Sequence, residues 1–559
     1  MAEEHSPWFE PTREYMLRLV KIRSVSPSAA ENDVAREVVR ILGEGGLESS
    51  YSALGLDSIE GDQYERANAY AFLRGASPRT VVLLGHIDTV PTADYGALED
   101  YALDPVALHD RRDALAAITP GLAEEIASYG DDLLFGRGTI DMKAGVAANI
   151  AVMRALAERS QEEALPLSVV LLATPDEENE SAGVLQAVRF LLRLREEHGL
   201  EYLGAINTDY TTARYPDDPH RYVFTGTIGK LLPSFLVIGK ESHVGDPFDG
   251  VDADLLAAEL IADLSMNPEL CDVVRGQKAP PPVTLHAADL KVGYDVQLPF
   301  AAYFYLNVLT LSSSPAELLE RLRERTEATL ARVLERLHDA EERWTRLTAD
   351  ETPPHALREG KVMTLAELRE ATETRLGVDA VNADLAALNE ALPATMDKRE
   401  RSLRLAQRLW TLSSFSGPAV VLYYSPPYYP HAQAAPGALH EAMAAVATDH
   451  PELQLQTVEF YPYISDMSYL RLDPGMDLAA LRANMPLWSD EFPPATGAYS
   501  LPLDEIAQLG LPMINLGPYG WGAHQRGERL LQSYSFGVLP QLIVEVIERL
   551  GARNDSPTS

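Results

Sequence analysis

Five residues of metal-binding type lie far apart in this 559-residue chain: His86, Asp141, Glu178, Asp209 and His524. Imidazoles and carboxylates form the donor sets of two-metal hydrolytic sites, where the ions activate water for attack on a carbonyl. Three of the five sit in runs that read as strand ends opening into loops, at 81–88, 171–178 and 204–209. In an open α/β sheet those loops are where ligands are held. His86-Ile87-Asp88 sets two side chains on one side of an extended segment. A ligating histidine needs a partner to fix its tautomer, a part Asp88 can take; the alternative is a strand-end histidine with an aspartate capping a turn. Asp141 sits in a Gly-rich loop, 136–145, that enters an apolar helix, where a carboxylate could equally be an N-cap. The loop lacks the Gly-Lys-Ser/Thr ending of a phosphate loop and the third glycine of a dinucleotide motif. Glu177 and Glu178 directly follow a strand. Adjacent acids there repel unless solvated, protonated or held by a cation. Beside a metal, one can bind while the other serves as base; the competing reading is a solvated acidic loop over 176–180. Asp209 and His524 are unremarkable singly.

These residues need a frame. From 10 to about 212, helical and strand patterns alternate, which predicts a sheet with helices on its faces. Residues 34–42 are apolar at helical spacing, and 81–84 and 167–173 read as buried strands. Residues 144–156 are apolar nearly all round, as in a helix packed between layers. From about 214 the texture changes to strands at 222–224, 233–238 and 301–310, then a long charged helical region. Ser314-Pro315-Ala316-Glu317 opens it with an N-cap, a first-turn proline and a capping-box glutamate. Two similar helical stretches continue to about 412. Residues 419–424 read as a strand ending in a Pro-rich run, 439–447 as a helix and 453–460 as a strand. Residues 511–517 read as a final buried strand leading to His524, and the tail from Arg553 is expected to fray. The expected division is a catalytic domain of 1–213 and 431–559, interrupted by an inserted domain of 214–430 whose helical block spans about 313–415.

Composition narrows the function. With 47 basic against 83 acidic side chains the net charge is −36. Such a field repels nucleic acid and anionic membranes, so neither is expected as a partner. Cys271 is the sole cysteine, which excludes an intrachain disulfide and a Cys-rich zinc site. No apolar run approaches the ~20 residues of a membrane-spanning helix. The opening residues carry no secretory pattern, so the expected location is cytoplasmic. No Gly-x-Ser-x-Gly or His-Glu-x-x-His motif competes for the chemistry.

Four segments occur in order: Gly85-His86-Ile87-Asp88-Thr89-Val90-Pro91, Gly136-Arg137-Gly138-Thr139-Ile140-Asp141-Met142-Lys143-Ala144-Gly145, Asp176-Glu177-Glu178 and Ala523-His524-Gln525-Arg526-Gly527-Glu528. Together they resemble the M20 family of zinc-dependent peptidases and amidohydrolases. Tyr428-Tyr429-Pro430-His431 and Ile464-Ser465-Asp466-Met467-Ser468-Tyr469 resemble its arginine-utilisation subgroup. The resemblance implies an α/β fold: a zinc-peptidase-like catalytic domain with a mixed sheet flanked by helices, plus an inserted α+β lid domain enlarged by helices. It implies two Zn2+ ions, with Co2+ or Mn2+ as alternatives. His86 and Asp209 would bind one and Glu178 and His524 the other, with Asp141 bridging and followed by a cis peptide. Asp88 would orient His86, and Glu177 would be the general base. His243, in the lid segment 239–247, would stabilise the oxyanion.

The implied reaction is cleavage of an amide or peptide bond in a short peptide or N-acyl amino acid, arginine-related by subgroup. The family's lid arginine, which grips a substrate carboxylate, has no match in 303–309. The rival reading is a non-hydrolytic metal-binding sensor or regulatory protein of arginine metabolism, against which an intact Glu177 argues. The oligomeric state is left open.

Overall fold

Apolar runs that read as strands become the middle of an eight-stranded sheet. In the computed structural model, which describes residues 6–347, 353–495 and 497–552, the order is Ala53–Ser58, Ala67–Leu73, Ser168–Thr174, Arg79–His86, Glu201–Asn207, Met513–Asn515, Arg221–Thr227 and Leu455–Tyr461. Arg79–His86 runs parallel to both of its neighbours, whereas Ala67–Leu73 runs antiparallel to Ser168–Thr174. The sheet is therefore mixed. Every residue of Ser168–Thr174 is buried, as a strand covered on both faces requires. The register sets His86 opposite Thr174 and Leu84 opposite Asn207. Three strands thus end along one edge, and the residues that follow them share a rim.

The helix Ala144–Ser160 is buried along most of its length, with Phe9–Val20 and Leu539–Ala552 packed against it. A small antiparallel sheet of Gly520–Trp521, Arg529–Leu531 and Leu133–Phe135 joins the segment before Asp141 to the segment after His524. No helix among the described residues is long and apolar enough to cross a membrane, and the tail from Arg553 lies outside them.

The chain divides into two compact units. One comprises Met1–Thr227, Ala432–Leu472 and Pro502–Ser559; the other comprises Ile228–His431 and Asp473–Leu501. This differs from the sequence expectation at two places. Arg221–Thr227 belongs to the first sheet, paired with Leu455–Tyr461, because a short apolar run does not announce which sheet it will join. Residues 473–501 go with the second unit, where the Asn484 side chain accepts the Ala366 N–H at 2.9 Å.

The second unit has a five-stranded sheet ordered Val283–Asp289, Ala301–Thr310, Gly229–Ile238, Ala419–Tyr429, Lys361–Thr364. Its pairs are antiparallel except the last, which is parallel. Ser314 and Glu317 form the expected capping box on the helix Pro315–Thr345. Three helices follow rather than two: Leu365–Leu376, Val378–Ala391 and Lys398–Ser413. Gly377, at φ 90°, separates the first two, a conformation that costs glycine little. The strand Ala419–Tyr429 continues through its prolines, where the sequence reading ended it. A register shift between Ser425 and Tyr429 takes Pro426 and Pro427 out of the hydrogen-bonded ladder.

Candidate metal centre

His86 ends its strand with Nε2 3.0 Å from Asp141 Oδ1. The other oxygen of Asp141, Oδ2, lies 3.0 Å from His524 Nε2, which is also 3.0 Å from Glu178 Oε1. Donor atoms of His86, Asp141 and Asp209 all fall within 4.8 Å of one another, and so do those of Asp141, Glu178 and His524. Asp141 therefore belongs to both sets and turns one oxygen to each histidine. Glu177 stands beside them, Oε2 3.9 Å from His86 Nε2. His243 lies in the second unit, exposed, where the Gly245 N–H donates to its Nδ1 at 3.0 Å.

The acidic turn is held from outside. Three consecutive backbone N–H groups end on carboxylates: Asp176 on Glu31 Oε2 at 2.8 Å, Glu177 on Asp88 Oδ1 at 3.1 Å and Glu178 on Asp88 Oδ2 at 3.0 Å. Asp176 itself has φ 74° and pairs with the buried Arg66, which also binds Glu31 and Asp62. Asp88 thus does more than face His86, whose Nδ1 is 3.5 Å from its Oδ1. Asp209 is cradled by Asn515, which accepts its N–H at 3.0 Å and donates to its carbonyl at 2.8 Å. Asp141 precedes a cis peptide to Met142, and Glu528 Oε1 accepts the N–H groups of Ile140 and Asp141 at 3.3 and 3.4 Å.

So much acid in a buried site is costly unless positive charge enters. Burial first, then the charges of Glu178, Asp466 and Asp209, push Glu177 well above the usual carboxylate range. Burial, with Asp141 next to it, pushes Asp209 up to about 7. Against burial, hydrogen bonds from His524 and His86 hold Asp141 below its usual range. Hydrogen bonds to Asp141 and Glu178 raise His524 to about 11. Protons are thus retained where a cation would otherwise neutralise the site. Imidazole nitrogens and carboxylate oxygens in two sets that share one carboxylate fit a pair of divalent metal ions.

Asp466 lies close to this centre, 2% exposed. The Thr174 hydroxyl donates to its Oδ2 at 2.8 Å, while its buried Oδ1 has no hydrogen-bond partner. In the sequence Asp466 and Glu528 stand only as members of longer motifs, and Glu31, Arg66 and Asn515 belong to none. Glu31, Asn515 and Glu528 hold backbone groups remote in sequence, and no motif spacing announces such contacts.

The profile of peptidase family M20/M25/M40 matches residues 82–480. The chain belongs to that family. It is 31% identical to protein RocB of Bacillus subtilis (strain 168) over 559 residues, covering 95% of this chain and 93% of that one. It is 32% identical over 484 residues to the uncharacterized protein YqjN of the same strain, covering 86% and 85%. The crystal structure of aminopeptidase PepT from Bacillus cereus aligns with a TM-score of 0.50 at 14% identity, over 97% of this chain and 98% of that one, a likeness of fold. M20 proteins are metal-dependent, and this M20 member is a hydrolase of the metallopeptidase and amidohydrolase type.

Proposed function

We propose that this M20 hydrolase uses two Zn2+ ions, or Co2+ or Mn2+ in their place, to cleave an amide or peptide bond in a short peptide or N-acyl amino acid. The subgroup resemblance of its motifs favours an arginine-related substrate. The observation that carries the reading is the Asp141 carboxylate shared between His86 and His524, with Glu177 alongside. His86 and Asp209 would hold one ion, Glu178 and His524 the other, and Asp141 both. When bound, the ions supply Lewis acidity that polarises the scissile carbonyl and acidifies water.

The chain's own residues do the rest. Glu177 takes the proton of the attacking water and returns it to the leaving nitrogen. Asp88 aims it by holding its backbone N–H. His243 accepts at Nδ1 from Gly245, which leaves Nε2 to donate to a tetrahedral oxyanion. In this reading the second unit, which carries His243, serves as the lid. A sensor without turnover has no use for the base beside His86.

The test is mass-spectrometric hydrolysis of a panel of dipeptides and N-acyl amino acids, run with added zinc and with chelator. Chelator-sensitive cleavage is expected, with arginine-containing substrates among those cut. Failure of the metal-loaded protein to cleave any of them rejects the reading.

A further inference from the structure

Glu528 is fully buried and uses both carboxylate oxygens. Oε2 accepts from Arg137 Nη1 at 2.7 Å, and Oε1 faces the N–H groups of Ile140 and Asp141. Its own carbonyl accepts the Gly136 N–H at 3.1 Å. Arg137 is anchored in turn by both oxygens of Asp94 at 2.9 Å and by the Pro91 carbonyl at 3.1 Å. Glu528 follows His524 by four residues and precedes Arg529–Leu531, the strand paired with Leu133–Phe135. The loop that ends at Asp141 and the loop that starts at His524 therefore spring from adjacent strands, and one carboxylate ties them together above that sheet.

We propose that Glu528 is a positioning residue that clamps the Asp141 and His524 loops in register, so that the metal site formed by Asp141, Glu178 and His524 keeps its geometry. The inference rests on the dimetal reading above. The chemistry requires a carboxylate. Glutamine offers one acceptor and one donor, so either orientation of its amide turns N–H against N–H, toward Arg137 or toward Ile140 and Asp141. Partners of this kind, acting behind metal ligands, typically matter by about 10–100-fold in metal affinity.

The experiment titrates the metal-free full-length protein with Co2+, followed by its visible absorption, for the wild type, Glu528→Gln and Asp94→Asn. Wild type should take up two ions. Glu528→Gln should weaken one of the two sites by about 10–100-fold, and Asp94→Asn, which loosens only the far end of Arg137, should weaken the same site less. Two sites of wild-type affinity in both variants overturn the clamp while leaving the hydrolase reading intact. Hydrogen exchange at the Ile140 and Asp141 amides, read without metal, gives an independent answer. Faster exchange in Glu528→Gln supports the clamp, and unchanged exchange overturns it, even if the wild type takes up no metal and the dimetal reading falls. Circular dichroism checks folding, and Asp94→Asn carries both measurements if Glu528→Gln does not fold.

Discussion

Asp88 Oδ1 accepts the backbone N–H of Glu177 at 3.1 Å, so a buried carboxylate sets the direction of the acidic pair. Its second oxygen takes the N–H of Glu178. Asp88→Asn would leave one acceptor for two donors and turn an amide N–H toward the other. We expect a fall in kcat/KM of about 10–100-fold and weaker metal retention, read by steady-state kinetics and metal analysis of the same samples. Wild-type kinetics would deny Asp88 this part.

Glu177→Gln keeps the shape of the side chain and removes the base. Turnover should drop by about 10²–10⁴-fold, the range for losing a positioned proton-transfer group, while elemental analysis finds the same metal content as in wild type. Loss of metal along with activity would make Glu177 a ligand and leave the base unassigned.

Stability of the metal-free protein should fall as pH rises, and added metal should offset that fall. Burial first pushes Asp209 and Asp466 up to about 7. Carboxylates unfold to pKa values of about 4. Between about pH 4 and 7 the metal-free native state therefore holds more protons than the unfolded chain, and stability falls as pH rises. The raised His86 and His524 act in the same direction above about pH 6.5, since their folded, protonated forms are favoured. Asp141, held low, contributes evenly across this window. Calorimetry of chelated protein should show a lower Tm at pH 8 than at pH 6. Added zinc, which displaces these protons, should raise Tm most at pH 8. A chelated protein that gains stability toward pH 8 would refute the buried-charge argument.

Gly145 marks where the helix Ala144–Ser160 touches the segment leading to Asp209. A Cβ there would lie 2.0 Å from the Thr208 carbonyl oxygen. Gly145→Ala should lower stability by about 1–3 kcal/mol through overpacking, measured by denaturant unfolding, and should weaken metal uptake because Thr208 immediately precedes Asp209. An alanine variant as stable as wild type would show that the helix can withdraw freely.

Much of this architecture was legible because strand ends announce themselves. His86, Glu178 and Asp209 each follow an apolar run, and the structure lines those runs up in adjacent strands. The glycine-rich loop alone left Asp141 open to an N-cap reading, and only the resemblance of the four ordered segments singled it out. Asn515 was hidden inside a three-residue strand, where an amide that cradles another strand's backbone looks like any buried polar residue. Glu31 reaches Asp176 across 145 residues, a pairing that no local pattern encodes. The edge strand Val283–Asp289 escaped notice because nearly all of it is exposed, so it lacks the alternation that marks a half-buried strand. The prolines of Ala419–Tyr429 misled in the other direction, because a bulge excuses them from the ladder.

One feature of the large sheet bears on how the enzyme is made. Met513–Asn515 lies between Glu201–Asn207 and Arg221–Thr227 and is paired with both. During synthesis the ribosome delivers that strand only after both of its sheet neighbours, and His524 follows later still. A nascent chain can pair strands on either side of the gap, but it has no continuous sheet and no second histidine. A chain that stops before residue 513 would therefore lack both the strand that joins the two parts of the sheet and the histidine that completes the second donor set.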